Sequence, residues 1–406
     1  MPVESAVLVE RSRLHAIREI GALPFFPALL ATAVLVGFRE SMTMPYLTLF
    51  ATEQAHLGPI ALGLFLTVRA AGAIAFSILF GAWFDRRPGV APLIVSLVAG
   101  VAGFALLSVT TAFWPLITVA ALPLGMSAAA FPLLFALAKH QSGDHDRITG
   151  ERGIAVLRAS FSAAWGIGPA LGAVAVERCG YPGLFWISAA FSLFSLLPVG
   201  LSGMRSRTAP AAAPVERTGP RRHEPAVLLA AASLALFSMA MGVGAVALPI
   251  VVTVDLGGGT GAVGLSYSLC ALLEVPVMMA IVLRPAAFLG YRGMALGFAA
   301  FSLYFAVVAL APTVPAVVAS QVLRALGIGL VSCIGISYLQ DLMPGRVGAA
   351  TALYANTGQL GSLLAGVSAG GWAAALGFHS LFWACVGLSL GGWVLLGAGR
   401  RVRQPG

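Results

Sequence analysis

The chain has 406 residues, 59% of them hydrophobic and only 10% charged. Soluble domains carry about 25% charged residues, so this balance excludes a water-soluble globule. The formal net charge is +9, but no long soluble segment exists to present a basic face, so nucleic acid is not the expected partner.

The apolar residues fall into twelve blocks, each of roughly 20 residues, the length a helix needs to cross a ~30 Å hydrocarbon core. In lipid the backbone must satisfy its own hydrogen bonds, so spans are helices or closed barrels. Barrel strands alternate with period two, and these blocks do not. The sequence therefore predicts an all-α membrane protein with spans near 23–47, 59–82, 91–110, 115–138, 152–176, 183–203, 226–250, 261–283, 293–311, 315–338, 347–370 and 378–398. Residues 1–22 read as a tail with no signal-peptide cleavage pattern, so the first span is expected to be retained. The longest polar interruption, 204–225, is rich in Ala, Pro and Arg, the composition of a flexible linker. It divides the chain into six-helix bundles at 23–203 and 226–398, with a tail at 399–406. That is the arrangement of two pseudo-symmetric six-helix halves.

Charge assigns the sides. With the N-terminus inside, the inner segments hold nineteen Lys and Arg residues and the outer loops hold only Arg178. A missed span would invert every loop after it and destroy that ratio. Both termini and the linker are thus expected in the cytoplasm. The six histidines lie in loops or at span ends, and the four cysteines, Cys179, Cys270, Cys333 and Cys385, lie far apart with no CxxC. Neither a disulfide framework nor a zinc site is indicated. With no Walker loop, ATP is not the expected energy source, and no metal or cofactor is predicted.

Charged residues inside spans cost about 2.5–3.5 kcal/mol each near mid-bilayer, so those present need a reason. They are Arg39 and Glu40 in span 1, Arg69 in span 2, Arg158 in span 5, Glu274 in span 8 and Arg324 in span 10. Glu274 sits in mid-span beside the helix-loosening Pro276. A carboxyl there is placed to bind and release a proton, with Arg158 and Arg324 responding to its charge; the bland alternative is a structural ion pair. Arg39 and Glu40 are neighbours, so they point about 100° apart. One of them should find a partner on another helix, and Arg69 is a candidate for Glu40. Trp165, Tyr267, Gln321, Asn356 and Gln359 are candidate ligand contacts, because aromatics stack on sugar faces and amides bond hydroxyls. With Arg39, Glu40 and Arg69 they form the expected substrate site. Gly168, Pro169 and Gly172 combine a close-packing pair with a lost helix hydrogen bond, a place for a bend.

The turn Gly81-Ala-Trp-Phe-Asp85-Arg86-Arg87-Pro-Gly89 lies between spans 2 and 3. With twelve spans and two halves, this turn resembles the signature loop of the major facilitator superfamily, although Val90 and Ala91 replace the usual basic residues after it. Gly168-Pro169-x-x-Gly172 is similar to that superfamily's antiporter motif. Pro45-Tyr-Leu-Thr-Leu-Phe50, Phe135-Ala-Leu-Ala138, Leu273-Glu274-Val-Pro276 and above all Gln340-Asp-Leu-Met-Pro-Gly-Arg346-x-Gly-Ala-Ala-Thr351 look like the sugar efflux transporter family. The resemblance implies a non-enzymatic inner-membrane exporter of sugars or related glycosides, driven by proton antiport and working as a monomer. It also implies conformational roles for Asp341 and Arg346. Arg39, Glu40, Arg69 and Arg324 depart from that family's usual residues, so an anionic glycoside or an antibiotic is also open as substrate. A drug exporter of the same fold is the alternative; an importer or an intramembrane enzyme fits less well. Gly81, Asp85 and Arg86 are expected to act as a latch between the halves, Asp85 accepting from the first amides of span 11 and an arginine meeting Asp144 or Asp146.

Overall fold

A computed structural model describes residues 25–141, 147–202, 225–283 and 290–403. The expected N-terminal tail at 1–22, the body of the linker and the acceptors Asp144 and Asp146 lie outside the described residues. Among the described residues are twelve membrane-length helical segments. They are α1 (Phe26–Leu49), α2 (Pro59–Arg86), α3 (Ala91–Val109), α4 (Phe113–Gln141), α5 and α6 (the two parts of Arg147–Leu201), α7 (Pro225–Ile250), α8 (Thr260–Leu283), α9 (Tyr291–Leu310), α10 (Val314–Leu342), α11 (Val347–Leu376) and α12 (Leu381–Arg403). Helices α5 and α6 meet at Gly180, whose φ of 67° breaks the run; that conformation is open to glycine without a Cβ penalty. Helix α12 runs to Arg403, past the expected start of the tail at 399.

Local sequence explains the helix starts. Pro occupies the first or second position of α1, α2, α3 and α10, where its missing N–H would have no partner in any case. Nine helical runs among the described residues are long and apolar enough to cross a bilayer. The run through Gly180 supplies two spans. Helix α1 falls short because Arg39 and Glu40 lower its hydropathy, and α11 because it is rich in small and polar residues.

Matching bonds repeat in the two halves. Helix α1 ends in a wide π-turn at Phe50–Gln54 and α7 in another at Val251–Asp255. Glu53 in the first accepts from Tyr181 Oη at the start of α6, at 2.6 Å. Asp255 in the second meets His379 at the start of α12, at 3.4 Å. Helix α1 is tied to α6 by Thr43 and Ser188, and α7 to α12 by Ser233 and the Gly392 carbonyl. These pairings are the pseudo-two-fold relation that two six-helix halves imply. Lipid gives helices no hydrophobic reason to associate, so packing and such polar bonds hold each half together. The aromatic stack Phe237, Phe298, Phe301, Tyr304 and Phe305 does this in the second half.

Close contacts between the halves gather towards one end. There α2 crosses α11 backbone to backbone: a Cβ on Gly63 would stand 2.7 Å from the Gly366 carbonyl oxygen and 2.8 Å from Gly370 Cα. Helix α5 meets α8 through Ala170, whose N–H donates to Ser268 Oγ at 3.2 Å. Nearest the end, Glu177 on α5 accepts from Thr260 Oγ1 and the Gly261 N–H, both at 3.1 Å. A carboxylate at the start of α8 is favoured by the free amides and positive dipole there. At the other end stand the exposed Arg86, Arg87, Lys139, Arg292, Arg400 and Arg401. Gly81 on this basic side would meet nothing within 4 Å if it carried a Cβ.

Candidate functional site

The halves diverge below their closed end and leave a cavity of about 540 Å³ between α2, α7, α10 and α11. Its walls carry the hydroxyls of Ser77, Ser238, Ser332, Tyr354, Thr357 and Ser362, and the amide of Gln359. Met44, Phe237 and Met241 supply apolar surface, and Arg69 is the one charged side chain among the described lining residues. A polar-walled cavity between the halves of a helical bundle is where transporters hold their substrate. A recess of about 10 Å³ adjoins it and is lined by Glu40, Thr43, Arg69, Phe104 and Ser127, among others. That volume is about one water-sized probe.

The structure brings some of the expected site together and separates the rest. Arg69 and Gln359 line the cavity, and Glu40 and Arg69 share the recess. Arg39 is 1% exposed. The expectation that Arg39 and Glu40 diverge is corrected: Arg39 Nη2 donates to Glu40 Oε1 at 2.6 Å. The arginine side chain is long enough to curl across the 100° between neighbouring positions. Its guanidinium also reaches Ser192 Oγ on α6 and the Ser127 carbonyl on α4, each at 3.4 Å, and lies 5.7 Å from the Phe104 ring centre. Glu40 acts on Arg69 only at longer range, without an ion pair within 4 Å.

Tyr267 and Gln321 hold Arg324 rather than facing the cavity. Tyr267 Oη donates to the Ala245 carbonyl at 3.0 Å. Gln321, fully buried, accepts from Arg324 Nη1 at 3.4 Å and donates from Nε2 to the Val317 carbonyl at 3.0 Å. The Arg324 guanidinium lies 4.6 Å from the Tyr267 ring centre and 5.9 Å from that of Tyr304, where the ring faces attract a cation. Arg324 is also the charged group acting on Glu274, across the α8–α10 contact. Cys270 donates to Glu274 Oε1 at 3.6 Å. Arg158 stands apart, exposed, with its guanidinium 6.0 Å from the Phe135 ring centre. Trp165 and Asn356 are not among the cavity-lining residues.

Gly168 and Gly172 pack on α1, against Ser41, Met42 and Tyr46. Two bonds reach this stretch from outside its own helix: Ser41 Oγ donates to the Ala164 carbonyl at 3.0 Å, and Tyr46 Oη to the Pro169 carbonyl at 2.6 Å. At the basic end Asp85 and Arg86 are exposed, Asp341 is exposed, and Arg346 precedes α11 with its main-chain N–H donating to the Met343 carbonyl at 3.0 Å. Residues that sequence reasoning passed over include the serine and threonine hydroxyls of the cavity, Glu177, and the glycines of the α2–α11 crossing. Gly366-Val-Ser-Ala-Gly370 is a GxxxG spacing in an apolar span and carried a signal for that crossing. Isolated serines in twelve spans carried none.

A family model described as Major Facilitator Superfamily matches residues 29–291. A Deinococcus radiodurans protein named "Putative sugar efflux transporter" is 36% identical over 391 residues, which are 93% of this chain and 99% of that protein. Sugar efflux transporter A of Escherichia coli strain K12 is 29% identical over 371 residues, 90% of this chain and 93% of that protein. Among solved structures, a mutant form of the nucleoside transporter NupG superposes with a TM-score of 0.77 at 13% identity, covering 94% of this chain and 100% of that one. A bacterial homologue of the human lysosomal transporter Spinster, in an inward-facing and unoccupied conformation, superposes with a TM-score of 0.74 at 12% identity, covering 93% and 98%. At these identities the structural likenesses establish the fold.

Proposed function

This chain belongs to the major facilitator superfamily, and on that premise we propose that it exports sugars or related glycosides across the inner membrane in exchange for protons. It is a multi-pass, non-enzymatic membrane transporter. The observation that carries the substrate reading is the cavity between the halves, with six hydroxyl side chains and one amide on its wall. Such groups exchange hydrogen bonds with a polyhydroxylated ligand and replace the water it loses. The names of the relatives at 36% and 29% identity point the same way.

The direction of opening follows from the positive-inside rule. The basic end faces the cytoplasm, so the closed crossing at Gly63, Gly366 and Gly370 faces outside and the cavity loads from within. Export then requires the halves to part at that crossing and to meet at the basic end. In the second arrangement Gly81 would let α2 approach α11, and Asp85 would accept from the first amides of that helix. Asp85→Asn is therefore expected to lower transport several-fold while substrate binding at equilibrium changes less than about twofold, by the loss of one charge at a helix start. Isothermal titration beside a vesicle assay reads both; lost binding with intact transport would contradict a latch role.

A drug exporter of this fold is the second reading, favoured by Met44, Phe237 and Met241 on the cavity wall. The charge of Arg69 opposes it for lipophilic cations, since two like charges in a cavity of low dielectric repel. Thermal shift in detergent across mono- and disaccharides, aminoglycosides and lipophilic cations separates the two. Sugars or glycosides should stabilise the protein; stabilisation by lipophilic cations alone would replace the sugar reading with the drug reading.

A further inference from the structure

Three charges cluster at the recess: Glu40 and Arg69 line it, and Arg39 stands behind, bonded to Glu40. Two are cations and one is an anion. The single carboxylate is engaged by Arg39 at 2.6 Å, and Arg39 is sealed away from the cavity by α4, α6 and Phe104. Arg69 is left on the cavity wall, with no ion pair or hydrogen bond to any described residue. The other interior charges do not reach it. Arg324 and Glu274 act on each other across α8 and α10, and neither lines this cavity.

An arginine in mid-span whose carboxylate neighbour, Glu40, is already bonded to a second arginine is costly. A guanidinium presents five donors in a planar fork that fits carboxylate and phosphate oxygens in pairs. Ser127 lines the same recess and is 2% exposed, and its hydroxyl oxygen has no hydrogen-bond partner among the described residues. The recess holds about one oxygen-sized group. An unpaired cation, an idle hydroxyl and room for one oxygen thus stand beside a cavity walled with further hydroxyls.

We propose that the substrate is an acidic sugar derivative, its carboxylate or phosphate held by Arg69 and its hydroxyls by the cavity wall. The inference rests on the sugar reading above and narrows it. Neutral sugars bind through the hydroxyl contacts alone and leave Arg69 uncompensated. The acidic derivative supplies the missing negative charge: a carboxylate brings the Arg39, Glu40 and Arg69 cluster to neutrality, and a phosphate monoester carries it somewhat past. Geometry also places the anion near the α4 side of the cavity, where Ala128 and Ser127 lie. The sugar ring then extends towards Tyr354 and Gln359 on α11.

Titration calorimetry on the purified full-length protein tests this with matched pairs: glucose against glucuronate and its methyl ester, glucose 6-phosphate against glucose, and lactobionate against lactose. The acidic member should bind at least about tenfold more tightly than its neutral partner, and the methyl ester should behave as neutral. Which acid gains most distinguishes a carboxylate from a phosphate substrate. Arg69→Gln should erase the preference, bringing each acidic member to within about twofold of its neutral partner; Arg69→Lys, which keeps the charge, should retain part of it. Equal affinity within every pair for the wild-type protein would overturn the proposal while leaving the sugar reading intact. An acid preference that survives Arg69→Gln, in protein that elutes as a single species, would also overturn it. Binding of no sugar of either kind, with binding of lipophilic cations, would instead remove the sugar reading itself.

Discussion

Gly366→Val is expected to cut transport by roughly tenfold or more, the factor that about 1.4 kcal/mol of conformational bias produces. The valine Cβ would stand 2.8 Å from the Thr67 main-chain nitrogen and 3.0 Å from the Gly63 carbonyl oxygen. These are backbone atoms, so no rotamer change relieves the contact and the helices must separate. Overpacking of this kind costs about 1–3 kcal/mol. On the proposed alternating cycle the cost falls on one conformation only, because α2 and α11 touch here when this end is closed. Gly371 is the control, since a Cβ there meets nothing within 4 Å; Gly371→Val should transport as the wild type does. A thiol placed in the cavity by Thr357→Cys, in a background without the exposed Cys179, reports the bias directly. An impermeant maleimide added from the outer side should label it faster in the Gly366→Val protein. Unchanged labelling with unchanged transport would show that the crossing is not the outer gate.

Glu274→Gln is the second large effect. Glutamine keeps the size and hydrogen-bonding shape of the side chain but cannot carry the proton. Its surroundings are compatible with the proposed proton exchange: Arg324, locked between Tyr267, Tyr304 and Gln321, acts on Glu274 without an ion pair within 4 Å. A direct, fully bonded pair would hold the carboxylate charged through the cycle. The variant is expected to lose at least about 90% of pH-gradient-driven transport, a drop of about tenfold or 1.4 kcal/mol in coupling. Exchange of labelled for unlabelled substrate should persist, because exchange needs the cavity and both gates but no net proton movement. Loss of exchange together with net transport, in a folded protein, would mean that Glu274 supports the structure and not the coupling. Arg158 is a second discriminator. It lies over Phe135 and is not among the groups acting on Glu274, so a conservative Arg158→Lys change should leave coupling within about twofold, the scale of an exposed cation–π contact.

The fold was legible because its signal repeats: blocks of apolar length recur along the chain where the membrane-length helices stand. The π-turns that close α1 and α7 were not legible: they depend on how the helix re-satisfies its bonds near the end of a span. The site was legible in part. Arg69 stood out because an arginine in a span is expensive, and it does line the cavity. Arg39 and Glu40 stood out for the same reason, but helical geometry taken at the Cβ level missed the reach of the guanidinium. Tyr267 and Gln321 were selected as polar groups in spans, and in the structure both contact Arg324. Sequence ranks a polar residue by its cost; whether it faces a ligand or another buried charge is set by helix rotation. The hydroxyls of Ser77, Ser238, Ser332 and Ser362 are cheap to bury, since serine can bond its own helix, and so gave no warning of the cavity they line.

The central claim, export of a sugar-type substrate in exchange for protons, is tested most directly by proton flux in proteoliposomes. With wild-type protein and an internal pH dye, outward movement of the sugar identified by calorimetry should carry protons inward, and an imposed pH gradient should drive that sugar uphill. Empty liposomes and the Glu274→Gln protein should show neither. Sugar movement that reaches equilibrium with no proton movement, indifferent to the gradient in wild type and variant alike, would contradict the account.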